Sequence, residues 1–469
     1  MECEVTFFLY HAFSKKKKIL IGHVRFLFIT DVRGLRCIHG YMFTCYYVVY
    51  VGCSLQAVQH RRGRTRLESS TNQELSADER NALLKKIEPK QIEAMNRLGL
   101  QLIRELGAQK ESRAKNLLIS PYSISVGMGM AYLGSEGETR REMAEAMGWS
   151  EWDDRQLNTA DAALHQLLMH PGSEIEIEIA NAVWIKNGVT VEDEYKADLQ
   201  QAFDAEIGPL HVQPEHAKDE INRWVEEHTR GRIPQLMQES PAAETLMILV
   251  NAIAFDGNWT NEFQPEYTRD GDFRLANGST MTVPMMHQSN QFHYTENEDW
   301  QAIRLPYGDG QMYMLVVLPR EGHTLEGIQQ QLEDHPQKLN EASDFRLVDL
   351  SLPRFRAEYG VHLKEAMQQL GIEKAFDPYA ADFTKMIPRG PDWQAYIGQI
   401  IHRAVMEVSE QGTVAAASTL LEMRAGSAPP TDRVKMEVNR PFMVALVDDS
   451  TGAWVFAGAI QQPEQVASH

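Results

Sequence analysis

The chain has 469 residues, 43% hydrophobic and 24% charged, so it can form one very large domain or two ordinary ones without covalent staples. Its formal net charge of −19 argues against nucleic acid as a partner, because phosphate binding requires clustered Lys and Arg side chains. All four cysteines lie within the first 53 residues, which excludes an internal disulfide or a Cys-based metal site in the rest of the chain.

Residues 1–53 form a basic leader. Four consecutive lysines, Lys15 to Lys18, precede apolar runs at 19–29 and 41–52. Neither run reaches the roughly 18 residues of a membrane span, and the pattern is typical of a signal peptide. We therefore expect export to the extracellular space or the cell envelope. The sequence ending at Cys53 loosely resembles a lipoprotein processing site, which predicts a lipid anchor there. The alternative is a misassigned start codon and a cytoplasmic protein.

A polar linker follows at 54–78, and 79–464 reads as one domain without repeats or low-complexity breaks. Helical periodicity covers about 79–107, 121–147, 154–169, 193–204 and 215–230. Strand-like segments lie at 175–185, 246–255, 312–318, 347–352, 406–408 and 442–460. A mainly helical first half followed by strands predicts the α+β class.

Motifs for catalysis are missing from the sequence. It contains no G-x-S-x-G, no G-x-x-x-x-G-K-[ST] and no H-E-x-x-H pattern. Gly127 and Gly129 begin a dinucleotide-like motif, but the next glycine, Gly134, is out of register. The 16 histidines have no ligand spacing. We predict that the protein is not an enzyme and has no metal or cofactor.

A series of motifs in unbroken order resembles the serpin family of serine protease inhibitors. The first, Asn116–Ser125, is similar to the family pattern N-x-x-x-S-P-x-S-I. It is followed by matches at Gly134–Thr139, Ile221–Ile233, Leu249–Trp259, Val283–Met286, Leu305–Tyr307, Leu352–Phe355, Leu370–Ile372, Ala381–Phe383, Ile401–Ala404, Asn439–Phe442 and Phe456–Gly458. The resemblance covers about 90–463. It implies the serpin fold, with helices packed on a large central β-sheet, two further sheets and an exposed reactive-centre loop at about 410–430.

The resemblance also implies a suicide mechanism. A protease cleaves the loop and forms an acyl-enzyme, and the cut loop then enters the central sheet as a new strand, which is how serpins are known to act. The segment that enters first is the hinge, here Glu410, Gly412, Thr413, Ala415, Ala416 and Ala417. In a strand, alternate residues share a face. Thr413, Ala415 and Ala417 therefore offer a small, uncharged face, and Gly412 provides backbone freedom.

Four further positions match family residues that control sheet opening. Ser120, Asn251 and His402 match the positions that hydrogen-bond beneath the sheet, called the shutter. Trp259 matches the residue near the point of loop entry, called the breach. Each of these residues could also be an ordinary core residue or a satisfied buried polar group.

The scissile bond is left with two alternatives. The usual loop length counted from Gly412 predicts cleavage at Gly426–Ser427, whereas side-chain chemistry favours Arg424–Ala425 and a trypsin-like enzyme. We predict a monomeric inhibitor of a serine protease, with a cysteine protease as a second kind of target. The rival function is a non-inhibitory serpin that acts as a chaperone, carrier or storage protein.

Overall fold

The computed structural model describes the backbone of 3–9 and 20–26, and describes residues 75–109, 115–211, 213–242, 244–334, 339, 343–390, 394–413 and 433–464. The chain divides into two compact units, Met1–Ser69 and Ser70–His469. In the first unit, β1 (Cys3–Leu9) and β2 (Leu20–Phe26) pair as antiparallel strands. Among the described residues, no helix combines the length and apolarity that crossing a membrane requires.

The helices of the second unit begin at clear sequence signals. Ser76 and Glu79 form a capping box at the start of the first helix, and Pro occupies the first turn of three others. The described helices are α1 (Ala77–Leu84), α2 (Pro89–Ala108), α3 (Pro121–Gly134), α4 (Gly137–Met147), α5 (Asp154–Leu168), α6 (Asp193–Phe203), α7 (Pro214–His228), α8 (Leu325–Asp334) and α9 (Lys364–Gln369).

Two helices predicted from periodicity are each divided in the structure. The predicted helix 79–107 is interrupted before Pro89, whose missing N–H and fixed φ suit the first position of a new helix. The predicted helix 121–147 ends at Gly134, where the Ser135 backbone N–H and hydroxyl both donate to the Tyr132 carbonyl. Periodicity missed both breaks because the apolar spacing continues across them.

The strands of the second unit are more numerous than the sequence predicted, since several lack strict alternation. They are β3 (Leu117–Ile119), β4 (Ile175–Lys186), β5 (Glu206–Leu210), β6 (Met247–Asn258), β7 (Arg269–Arg274), β8 (Thr280–Glu296), β9 (Trp300–Tyr307), β10 (Met312–Pro319), β11 (Asp344–Pro353), β12 (Phe355–His362), β13 (Gln399–Val408), β14 (Gly412–Thr413), β15 (Val434–Glu437), β16 (Phe442–Asp448) and β17 (Trp454–Ile460). The predicted strand 442–460 is two strands joined by a turn, in which Gly452 has φ 74°.

The central sheet has the order β12-β13-β6-β4-β5, and β14 pairs with one end of β6. Its middle pair, β13 and β6, is parallel, whereas β4 and β6 are antiparallel. The remaining described strands of the second unit form a second path, β15-β11-β8-β9-β10-β16-β17-β3, with β7 added to β8. The long strand β8 pairs with β7, β11 and β9 in turn, so the two further sheets of the predicted fold are continuous with each other.

Helices cover both faces of the central sheet. Alternate residues of β6 separate into two apolar clusters, with Leu249 and Ile253 in the larger cluster and Ile248 and Val250 in the smaller one. The larger cluster contains α3, all of whose residues are buried, and the smaller one contains the apolar stripe of α7. The period of two along a strand directs successive side chains to opposite faces. Both faces of the central sheet are therefore packed against buried apolar side chains.

Candidate functional site

The hinge begins as a strand of the central sheet. After β13 the chain turns at 409–411, and β14 returns antiparallel to β6, with Gly412 opposite Asn258 and Thr413 opposite Gly257. Gly412 has φ 151°, and a Cβ atom there would lie 2.1 Å from the Gly257 carbonyl oxygen. Only glycine fits this close approach to the β6 backbone. Gly412 and Thr413 are therefore paired strand residues of the central sheet.

Thr413 is fully buried in an aromatic cluster at the breach. Its hydroxyl lies 2.8 Å from the Tyr307 hydroxyl. The Tyr307 ring stacks on Trp259 at a centroid distance of 4.2 Å and meets Phe255 edge-on at 4.9 Å. Burial raises the pKa of Tyr307, so its phenol stays protonated and able to donate. The site fits a small side chain with one hydroxyl. A charged side chain there would be cut off from solvent.

Trp259 forms hydrogen bonds with the turn at 409–411, which precedes Gly412 and Thr413. Its indole Nε1 donates to the Ser409 carbonyl at 2.9 Å, and its backbone N–H donates to the Gln411 carbonyl at 2.9 Å. The backbone N–H of Phe263 donates to the Glu410 carbonyl at 2.9 Å. Residues 409–411 are thus held from the β6 side by three hydrogen bonds.

Glu410 is a buried carboxylate with charged and neutral partners. It is 6% exposed, accepts a hydrogen bond from Thr268 Oγ1 at 2.7 Å, and forms an ion pair with Arg354. Burial acts to raise the pKa of Glu410, but the hydrogen bonds from Arg354 and Thr268 outweigh it and hold the pKa below its usual value. The residue is therefore ionised and anchors the base of the hinge beside β12.

A row of polar side chains crosses the central sheet at its middle. His402 on β13 is opposite Asn251 on β6, which is opposite Asn181 on β4. His402 Nδ1 lies 2.6 Å from Asn251 Oδ1, and Asn251 Nδ2 donates to Asn181 Oδ1 at 2.5 Å. This row, the N-cap residue Ser120 and the first turn of α3, which contains Ser123, are called the latch below.

The latch is completed by the backbone of α3. The Ser120 N–H donates to His402 Nε2 at 3.0 Å, and Asn251 Nδ2 donates to the Ser123 carbonyl at 2.8 Å. The Ser120 hydroxyl caps the helix by accepting from the Ser123 N–H at 3.0 Å. Because Nε2 accepts, the neutral His402 ring carries its proton on Nδ1 and donates it to Asn251. Burial lowers the pKa of His402 to about 3, which keeps the ring neutral.

The predicted residues fall into two groups. The structure brings together Ser120, Asn251 and His402 beneath the sheet, and Glu410, Gly412, Thr413 and Trp259 at the breach. The rest of the prediction lies outside the described residues: Cys53, Ala415, Ala416, Ala417, Arg424, Ala425, Gly426 and Ser427.

Several partners of the predicted residues were missed by sequence reasoning. Tyr307 and Arg354 lie in motifs used for the resemblance, but nothing in those motifs indicated contact with the hinge. Asn181 is the polar member of an otherwise apolar alternate row of β4, and such a position is a detectable signal for a buried hydrogen bond. Thr268 offered no signal in the sequence.

Comparison with known proteins identifies the class to which this fold and site belong. The family described as "Serpin (serine protease inhibitor)" matches residues 93–463. Iripin-2 of Ixodes ricinus is 33% identical over 384 residues, covering 80% of this chain and 94% of Iripin-2. The native crystal structure of the thermophilic serpin tengpin has a TM-score of 0.74 at 26% identity, covering 80% of this chain and 95% of tengpin. The chain belongs to the serpin family.

A second solved structure shows that a similar fold can carry a ligand. The complex of thyroxine-binding globulin with thyroxine has a TM-score of 0.71 at 26% identity, covering 80% of this chain and all of that one. The serpin family is described by protease inhibition, and this neighbour binds a small molecule. The activity of an individual member therefore has to be argued from its loop and its sheet.

Proposed function

We propose that this serpin inhibits a serine protease by suicide trapping, in which the cleaved loop inserts between β6 and β13. The observation that carries the proposal is the pairing of Gly412 and Thr413 with the end of β6. Strand β14 lies beyond the last β6 residue paired with β13, Ala254, and points back along β6. This pairing supports the proposal, because Gly412 and Thr413 would be the first residues of the inserted strand.

The register of β14 defines how far the loop could insert. Thr413 is opposite Gly257. If the antiparallel pairing continued residue by residue, residue 423 would be opposite Met247, the first residue of β6. The residues that would face the same side as Thr413 include Ala415 and Ala417, whose side chains are small and uncharged. No bulky or charged group on that face opposes entry at the hinge.

Insertion requires β6 and β13 to separate, which breaks the His402–Asn251 hydrogen bond of the latch. If insertion adds about ten backbone hydrogen bonds at about 1 kcal/mol net each, it yields on the order of 10 kcal/mol. This is comparable to the whole stability of an ordinary domain. The uncleaved form must then be kinetically trapped, and the latch is the part of the sheet that opposes opening.

We expect a covalent complex with a stoichiometric serine protease. The purified protein is incubated with elastase-like, subtilisin-like and trypsin-like proteases, then boiled in SDS and separated on a gel. A band of the summed mass supports trapping, because an acyl-enzyme linkage survives denaturation. Protease inactivated beforehand at its catalytic serine is the control and should form no such band.

The rival function would give a different result in the same experiment. A chaperone, carrier or storage serpin would be cleaved in its loop by several proteases, and each protease would turn over without loss of activity. The similarity to thyroxine-binding globulin is the observation in its favour. Cleavage without a complex across the whole panel would contradict the inhibitory proposal.

The scissile bond is predicted to be Gly426–Ser427. Pairing along the whole of β6 would take up the loop as far as residue 423. Cleavage after Gly426 would then leave three residues between the inserted strand and the protease. Cleavage after Arg424 leaves only one, although its cationic side chain suits a trypsin-like specificity pocket. Mass spectrometry of the released C-terminal fragment decides between them. A fragment beginning at Ser427 is expected, and one beginning at Ala425 with trypsin trapped would overturn the prediction.

A further inference from the structure

One polar contact links α5 to the helix that carries the latch. The Tyr122 hydroxyl lies 2.9 Å from His165 Nδ1. Tyr122 is in the first turn of α3, between Ser120 and Ser123 of the latch, and its side chain is 1% exposed. His165 is half-buried in the last turn of α5. A polar pair therefore joins these two helices.

The direction of this hydrogen bond follows from the two environments. Burial raises the pKa of Tyr122, and the nearby Asp161 carboxylate adds to the shift, so the phenol keeps its proton. Burial lowers the pKa of His165, so its imidazole stays neutral and has one free lone pair. The Tyr122 hydroxyl therefore donates to His165 Nδ1. Neither group forms another hydrogen bond in the described structure, and loss of the His165 ring would leave the buried Tyr122 hydroxyl unsatisfied in the core.

The rest of α3 is positioned mainly by close packing. A Cβ atom at Gly129 would lie 2.7 Å from the Phe203 ring, so α6 lies directly against the middle of the helix. A second tyrosine, Tyr195 of α6, donates to the Met130 carbonyl at 3.0 Å, about two turns beyond Tyr122. The first turn thus has its own polar contact, at the level where the helix bonds to β6 and β13.

We propose that Tyr122 and His165 are positioning residues that hold the first turn of α3 beneath β6 and β13. Through this pair, the position of α5 determines how readily the latch opens. The inference rests on the proposed function, because sheet opening matters only where a loop is to enter. Its test needs no protease, so a failure of trapping and a failure of this inference give separate results.

The test is hydrogen exchange of the β6 and β13 amides in the uncleaved full chain, which reports transient separation of the two strands. Tyr122→Phe removes only the hydroxyl and should raise exchange in 247–258 and 399–408 about tenfold. His165→Leu should act similarly, because it leaves the Tyr122 hydroxyl without a partner. The matched control is Tyr195→Phe, which removes a buried hydroxyl that donates to α3 from α6, and it should leave these amides at the parent rate.

Two rescue variants separate positioning from general loss of packing. Tyr122→Phe combined with His165→Leu removes both polar groups, and exchange should return close to the parent rate. His165→Gln retains an oxygen that can accept from Tyr122 and should also exchange like the parent. If Tyr122→Phe does not fold, the comparison of His165→Gln with His165→Leu carries the same test. Equal exchange in Tyr122→Phe and Tyr195→Phe, or no rescue in the double variant, would overturn the proposal.

Discussion

Replacement of Thr413 by Arg should convert the inhibitor into a substrate. Thr413 is fully buried against Tyr307 in the uncleaved chain, so the longer cationic side chain has to leave the sheet. After cleavage it would have to enter the same site, and an unpaired buried guanidinium costs several kcal/mol. A barrier higher by about 4 kcal/mol slows insertion about a thousandfold. Hydrolysis of the acyl-enzyme should then occur before the protease is trapped.

The measurement is the ratio of covalent complex to cleaved inhibitor on an SDS gel. Thr413→Ser is the matched control, because it retains the hydroxyl that contacts Tyr307 and adds no volume. It should trap as the parent does. Undiminished trapping by Thr413→Arg would show that the hinge does not begin at Gly412 and Thr413.

Replacement of His402 by Ala should release the latch. The Ser120 N–H would lose its acceptor and Asn251 Oδ1 would lose its donor, and both groups remain buried. An unsatisfied buried group costs about 1–3 kcal/mol, so spontaneous conversion to latent or polymerised forms on warming should be faster by about tenfold or more. Native gels of samples taken during incubation measure this rate.

A control for this variant lies in the sheet that contains β8 and β11. His287 Nδ1 lies 2.8 Å from Ser351 Oγ, so His287→Ala also removes a hydrogen-bonded histidine, but one away from the central sheet. Its conversion rate should stay near that of the parent. Equal rates for His402→Ala and the parent protein would contradict the assigned role of the latch.

The same histidine predicts a dependence of stability on pH. Burial lowers the folded-state pKa of His402 to about 3, whereas the unfolded chain has the usual value of about 6.5. Between these values the unfolded state binds more protons, so the free energy of unfolding falls as the pH falls below about 6.5. The loss is up to about 1.4 kcal/mol per pH unit. Urea unfolding across this range should show a shallower decline in His402→Ala, and parallel profiles would argue against a neutral buried ring.

Several features of the protein follow from local sequence. Runs of apolar residues with helical or strand spacing predicted most of the large elements, since side-chain periodicity depends only on near neighbours. The collinear motifs predicted a serpin, and family membership is confirmed. Short strands such as β5 and β7 were missed because their stability comes from pairing with other strands.

The sequence by itself determined the family, the α+β class and the residue types available to the hinge and the latch. Only the tertiary structure decided which of them meet. His402 and Asn251 are 151 residues apart and become partners because β13 and β6 are adjacent in one register. A shift of one residue would direct their side chains to the opposite faces. The contacts of Thr413 with Tyr307 and of Tyr122 with His165 depend likewise on packing between distant segments, which local patterns do not encode.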